Sequence, residues 1–126
     1  MQYLTASLED YLEMVYILGQ NGCAVGITNI ANAFLISKPS VSKAINTLKA
    51  KGYVTQEKYG KIELTEEGLK EAKNIYGRHT TLNKFLSEIL KVDSKVAEID
   101  ACKLEHVLSK ETLDKIEDFL KNYNTK

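Results

Sequence analysis

The sequence of 126 residues predicts a mainly α chain: a winged helix-turn-helix over residues 1–64, then a helical domain over residues 65–126. Three observations predict it. Apolar residues recur at spacings of three and four along most of the chain. Two short strand-like runs stand side by side directly after the third helical segment. Residues 37–61, which hold that third helix and the hairpin, carry six lysines against Glu57 alone, a net +5, in a chain whose formal charge is zero.

The first helix is read from Thr5 to Leu18, with Leu8, Tyr11, Leu12, Val15, Tyr16 and Leu18 on its apolar side and Thr5 or Ser7 able to cap its start. Residues 19–26 hold Gly-Gln-Asn-Gly and form a stop and turn. Thr28 can cap a short second helix running through Ile30, Ala31, Phe34 and Leu35. Ser37 caps a third, with Pro39 in its first turn, an apolar stripe of Val41, Ala44, Ile45 and Leu48, and an end at Lys51-Gly52. Residues 53–57 and 61–64 read as the two strands of a hairpin closed by Lys58-Tyr59-Gly60. A capped start at Thr65-Glu66-Glu67-Gly68 opens a long helix to about Leu90. Val92-Asp93-Ser94 interrupts it, a further helix runs to Leu108, and Ser109 caps the last, through Phe119 and Leu120.

The composition, 44% hydrophobic and 27% charged, fits a folded globular chain. No apolar run approaches the roughly 20 residues of a membrane helix, so no membrane partner is expected. Met1-Gln2-Tyr3-Leu4 lacks the regions of a signal peptide, and the expected compartment is the cytoplasm. Two cysteines do not make a disulfide framework. Cys23, with no ligand-type neighbours, is read as structural. No glycine-rich phosphate loop, nucleophile elbow or His-Glu-x-x-His pattern occurs, and no enzyme is expected.

The zero net charge divides unevenly. Residues 1–36 carry −3 and residues 62–126 carry −2, so the net positive charge sits on the third helix and the wing. On this topology the third helix is the recognition helix for double-stranded DNA. Its stripe packs inward, which leaves Lys38, Pro39, Ser40, Ser42, Lys43 and Asn46 elsewhere on its circumference. Lys43 and Asn46 are read as addressing base edges. Thr28, Ser37, Ser42 and Lys49 are better placed for phosphates, which position a protein without specifying sequence. Lys58, Tyr59 and Lys61 on the wing reach backbone or minor groove.

Outside these elements the chain concentrates metal-ligand types. Asp10 and Glu13 lie three apart on the first helix. Cys102, Glu105 and His106 share one face of a later helix at i, i+3 and i+4, and His79 lies on the long helix between. Alone, Asp10 and Glu13 read as a solvated helix face, His79 as a surface histidine and Cys102 as a small buried hydrophobe. Three strong ligand types on one face are harder to read that way, and a mixed N, O and S set suits a divalent first-row transition metal. Glu98 and Asp100 are weaker candidates for an outer shell.

Leu8-Glu9-Asp10-Tyr11-Leu12-Glu13, Ser37-Lys38-Pro39-Ser40-Val41-Ser42, Gly52-Tyr53-Val54, Leu64-Thr65-Glu66-Glu67-Gly68, Arg78-His79 and Ala101-Cys102-Lys103-Leu104-Glu105-His106-Val107-Leu108-Ser109 resemble the diphtheria-toxin-repressor family of metal-dependent transcriptional regulators, in its short two-domain form. The resemblance implies a winged helix followed by a helical metal-binding and dimerisation domain, a homodimer on operator DNA, and repression of metal-uptake genes. It implies Asp10, Glu13, His79, Cys102, Glu105 and His106 as the metal ligands. Asn83 and Glu98 stand where the longer iron-responsive members complete a second site with His79. Manganese-responsive members have a glutamate where this chain has Cys102. A thiolate among carboxylates and imidazoles favours Fe(II) over Mn(II), with Co(II), Ni(II) and Zn(II) also accepted. A manganese-responsive repressor and a metal-independent winged-helix regulator are the alternatives.

Overall fold

Helices and strands follow one another in the predicted order in a computed structural model that describes residues 5–20, 25–57 and 60–123. Cys23, Lys58 and Tyr59 lie outside the described residues. α1 spans Ala6–Gln20, and the Thr5 hydroxyl accepts from the Leu8 N–H at 3.2 Å to cap it. α2 spans Ile27–Phe34. Thr28 does not cap it: the extended residue before the helix is Gly26, whose carbonyl already accepts from the Ile30 N–H at 3.1 Å, so Thr28 is helical. α2 ends at Leu35, which takes a left-handed conformation (φ 55°) and is 92% exposed.

α3, Lys38–Ala50, begins as expected. Ser37 Oγ accepts from the Ser40 N–H at 3.3 Å, and Pro39 occupies the first turn, where its missing N–H costs nothing. Val41, Ala44, Ile45 and Leu48 are buried, each of the larger ones contributing roughly 1.5–3 kcal/mol by leaving water. This face packs against α1, α2 and the first strand. Gly52, at φ 85°, turns the chain out of the helix into β1, Val54–Gln56. β1 pairs antiparallel with β2, Ile62–Leu64, in the register Val54 to Leu64 and Gln56 to Ile62. Val54 and Ile62 are buried, and the Ile62 N–H also donates to the Val25 carbonyl at 2.7 Å, fastening the wing to the chain ahead of α2.

α4, Glu66–Lys84, starts on the wing. The Thr65 hydroxyl donates to the carbonyls of Gly52 (2.7 Å) and Tyr53 (3.1 Å) and accepts from the Gly68 N–H (3.0 Å). Gly68 is required by this approach, because a Cβ there would run into the Tyr53 carbonyl oxygen. The chain divides into two compact units, Met1–Asn74 and Ile75–Lys126, so the first turns of α4 belong with the winged helix, where Thr65 and Gly68 anchor them.

In the second unit α4 continues as a single π turn, Phe85–Ile89. α5, Ser94–Leu104, is capped by Asp93, which accepts from the Lys95 N–H at 3.2 Å. α6, Lys110–Tyr123, is capped by Ser109, which accepts from the Thr112 N–H at 3.2 Å. Leu82, Ala101 and Leu113 form the core, with Leu86, Leu104, Leu108 and Ile116 packed on it, and Phe85 meets Phe119 edge to face at 6.1 Å. α5 ends four residues before the expected Leu108. The start of α6 at Lys110 forces a turn, in which the N–H groups of Val107 and Leu108 both donate to the Leu104 carbonyl. Glu105 therefore caps the helix and His106 lies in the turn beyond it. No helix among the described residues is long and apolar enough to cross a membrane.

Gly68→Ala should destabilise the protein by about 1–3 kcal/mol through overpacking. Urea unfolding followed by circular dichroism measures this; an unchanged midpoint would contradict the close approach to Tyr53.

Candidate metal centre and nucleic-acid interface

In the second unit the turn after α5 places Glu105 between two imidazoles. The Glu105 side chain is fully buried. Its Oε2 lies 3.5 Å from His79 Nδ1 on α4, and its Oε1 lies 3.5 Å from His106 Nε2. These separations are long for well-formed hydrogen bonds. Neither carboxylate oxygen, nor His79 Nδ1, has a hydrogen-bond partner among the described residues. Cys102, one turn before Glu105 on α5, brings its Sγ within 4.8 Å of a Glu105 oxygen from the exposed side.

Such a group of atoms is costly as it stands. A buried carboxylate without donors loses its hydration and regains little, at several kcal/mol. The neighbouring ring shows the strain electrostatically. Glu105 beside it is the largest influence on His79 and raises its pKa to about 9; burial opposes the rise, and Glu98 adds to it. A proton on His79 is one way to compensate Glu105, and a divalent cation is the other. Two carboxylate oxygens, two imidazoles and a thiol fit a first-row transition metal in donor type.

The outer edge of His79 is bound differently. Its Nε2 lies 2.8 Å from Glu98 Oε1 on α5, and the Asn83 amide donates to Glu98 Oε2 at 3.0 Å. Spacing along the sequence makes Glu98 only a weak outer-shell candidate; the pairing needs α5 folded back beside α4, which no local pattern announces. Asp100 is exposed on the same helix. In the first unit, Asp10 is half-buried on α1 and Glu13 is buried, 9% exposed.

The residues read as facing DNA belong to the first unit. Lys38, Pro39, Ser40, Lys43, Asn46 and Lys49 are all exposed on α3, as is Thr28 on α2, whereas Ser42 is half-buried. Ser37 is committed to the helix start, where its hydroxyl also donates to Ser40 Oγ at 2.8 Å. Lys61 on the wing pairs with Glu63 at 3.5 Å, which offsets part of the positive charge there.

Comparison with known proteins agrees with both halves. A family model described as the iron dependent repressor N-terminal DNA binding domain matches residues 3–62, and one described as the iron dependent repressor metal binding and dimerisation domain matches residues 65–126. The chain is 39% identical to an uncharacterized HTH-type transcriptional regulator of Methanocaldococcus jannaschii, over 98% of this chain and 99% of that one. It is 34% identical to the HTH-type transcriptional regulator MntR of Lysinibacillus sphaericus, over 92% of this chain and 83% of that one. Among solved structures it is similar to the manganese regulator SloR, at 27% identity and a TM-score of 0.82, covering 94% of this chain and 55% of that chain. The chain thus spans about half the length of that structure.

Lys43→Ala should weaken binding to a preferred duplex by about 1–3 kcal/mol while binding to unrelated duplexes changes little. Parallel anisotropy titrations measure both. A uniform loss across sequences would make Lys43 a phosphate contact instead of a base reader.

Proposed function

The chain belongs to the iron-dependent repressor family, and we propose that it is a DNA-binding transcriptional repressor switched on by a divalent transition metal, with Fe(II) the favoured ion. The observation that carries this reading is the buried Glu105 carboxylate, without a hydrogen-bond partner among the described residues, between two imidazoles and within reach of a thiol. In our reading Cys102, Glu105, His106 and His79 hold the ion, and Asp10 and Glu13 of α1 complete the set as the resemblance implies. Bound there, a cation supplies positive charge that the buried acids lack.

The chain's own residues do the rest. Loss of the His79 proton frees Nδ1 as a donor, so metal uptake expels a proton. The thiolate of Cys102 softens an otherwise oxygen- and nitrogen-rich set and moves preference away from Mn(II). Glu13 and Asp10 stand on the helix that packs against α3, so a ligand that fixes α1 also restricts the recognition helix. In a homodimer, that restriction sets the spacing of two α3 helices for half-sites about one helical turn apart, with Lys38, Lys43, Asn46 and Lys49 towards the DNA. Metal and DNA then favour one conformation and tighten each other equally. Genes of metal uptake are the proposed targets. Mn(II) is the competing ion, since one of the similar solved structures is that of a manganese regulator.

A duplex selected from a random pool in the presence of Fe(II) should bind roughly 5–150-fold more tightly with Fe(II) than with chelator, under anaerobic reducing conditions. His106→Ala should lose that increment and keep the metal-free affinity. Equal affinities for the wild type with and without metal would leave a metal-independent regulator. Cys102→Glu should shift activation towards Mn(II), and an unchanged Fe(II)-to-Mn(II) ratio would remove the thiolate from the selectivity argument.

A further inference from the structure

The outer trio of His79, Asn83 and Glu98 supports a role distinct from ligation. Both Glu98 oxygens are engaged, one by His79 Nε2 at 2.8 Å and one by the Asn83 amide at 3.0 Å. A carboxylate only accepts, so the hydrogen of that short contact sits on His79 Nε2. The Asn83 Nδ2 that faces Glu98 is a donor, which repels a cation and leaves no open lone pair on that side. The opposite nitrogen, Nδ1, is buried, has no hydrogen-bond partner among the described residues, and faces Glu105. We propose that Glu98, held by Asn83, is the positioning residue of the metal centre: it keeps the hydrogen on His79 Nε2 and turns the Nδ1 lone pair inward to Glu105, and no metal binds between His79 and Glu98.

This inference rests on the metal centre proposed above. A carboxylate on the far nitrogen of a ligating histidine fixes its tautomer and raises its basicity, and losing one weakens metal binding by roughly 10–100-fold. Glu98 is largely exposed, with 59% of its side chain open to solvent, so replacing it leaves the core of the unit intact.

The test uses Zn(II), a diamagnetic ion, with the full chain labelled with 15N-histidine. In the Zn(II)-loaded wild type, His79 should show a metal-shifted Nδ1 and a protonated Nε2. Glu98→Ala should weaken Zn(II) binding, read by competition with a chromophoric chelator, by about 10–100-fold. Glu98→Gln, whose amide oxygen can still accept from Nε2–H, should recover most of that loss. Zn(II) on Nε2 would overturn the proposal by placing the metal in the outer trio. A His79 that ligates through Nδ1 in the wild type, with Glu98→Ala at wild-type affinity, would overturn the positioning role and leave the metal centre standing. A His79 whose signals do not respond to Zn(II) in the wild type would overturn both.

Discussion

The carboxylate of Glu105 sets the electrostatic terms for its surroundings. It is buried at the C-terminal end of α5, where the helix dipole already concentrates partial negative charge. An anion there is disfavoured twice, by desolvation and by the helix behind it. Imidazole nitrogens of His79 and His106 lie 3.5 Å from its oxygens, and His79 responds by holding its proton well above the ordinary histidine range. In the proposed metal centre a proton and a divalent ion would compete for the same nitrogen and relieve the same charge, two solutions to one burial problem. A neutral residue at 105 would remove the problem together with the reason for any cation to enter.

α1 occupies a corresponding position in the first unit. One side of it, through Leu12 and Val15, is part of the buried core beside α3. Glu13, adjacent to Leu12, is also buried, an unusual place for an acid one helix away from the recognition face. Packed helices shift as bodies, because close-packed cores resist continuous deformation. Changing the charge balance around Asp10 and Glu13 therefore acts on a helix that cannot move without its neighbour α3 responding.

Local chemistry made much of the fold legible. The Ser37-Lys38-Pro39-Ser40 start, the Val41, Ala44, Ile45 and Leu48 stripe and the Gly52 exit each carry their own physical signal, and each stands where it was expected. The errors come from competition between neighbours. Thr28 is a good capping residue, but Gly26 is already extended and takes the position. The helix through Cys102 was extended to Leu108 by its apolar spacing, whereas the Ser109 cap of α6 ends it earlier. Cys102 and His106 each still lie close to Glu105, since the chain stays tightly turned through the first residues after Leu104. The pairing of His79 and Asn83 with Glu98 was not legible from spacing, because it depends on how α4 and α5 are folded against each other.

The π turn at Phe85–Ile89 makes the length of α4 matter as much as its composition. A π turn holds one residue more than an α turn, so everything after it is rotated by about 100° relative to an uninterrupted helix. Leu86 reaches the core cluster and Phe85 reaches Phe119 from within that turn. Losing a single residue from it would leave a well-bonded α-helix that points those side chains elsewhere, while exchanging one apolar residue for another would only alter their fit. Sequence change in this segment is thus constrained in count more tightly than in kind.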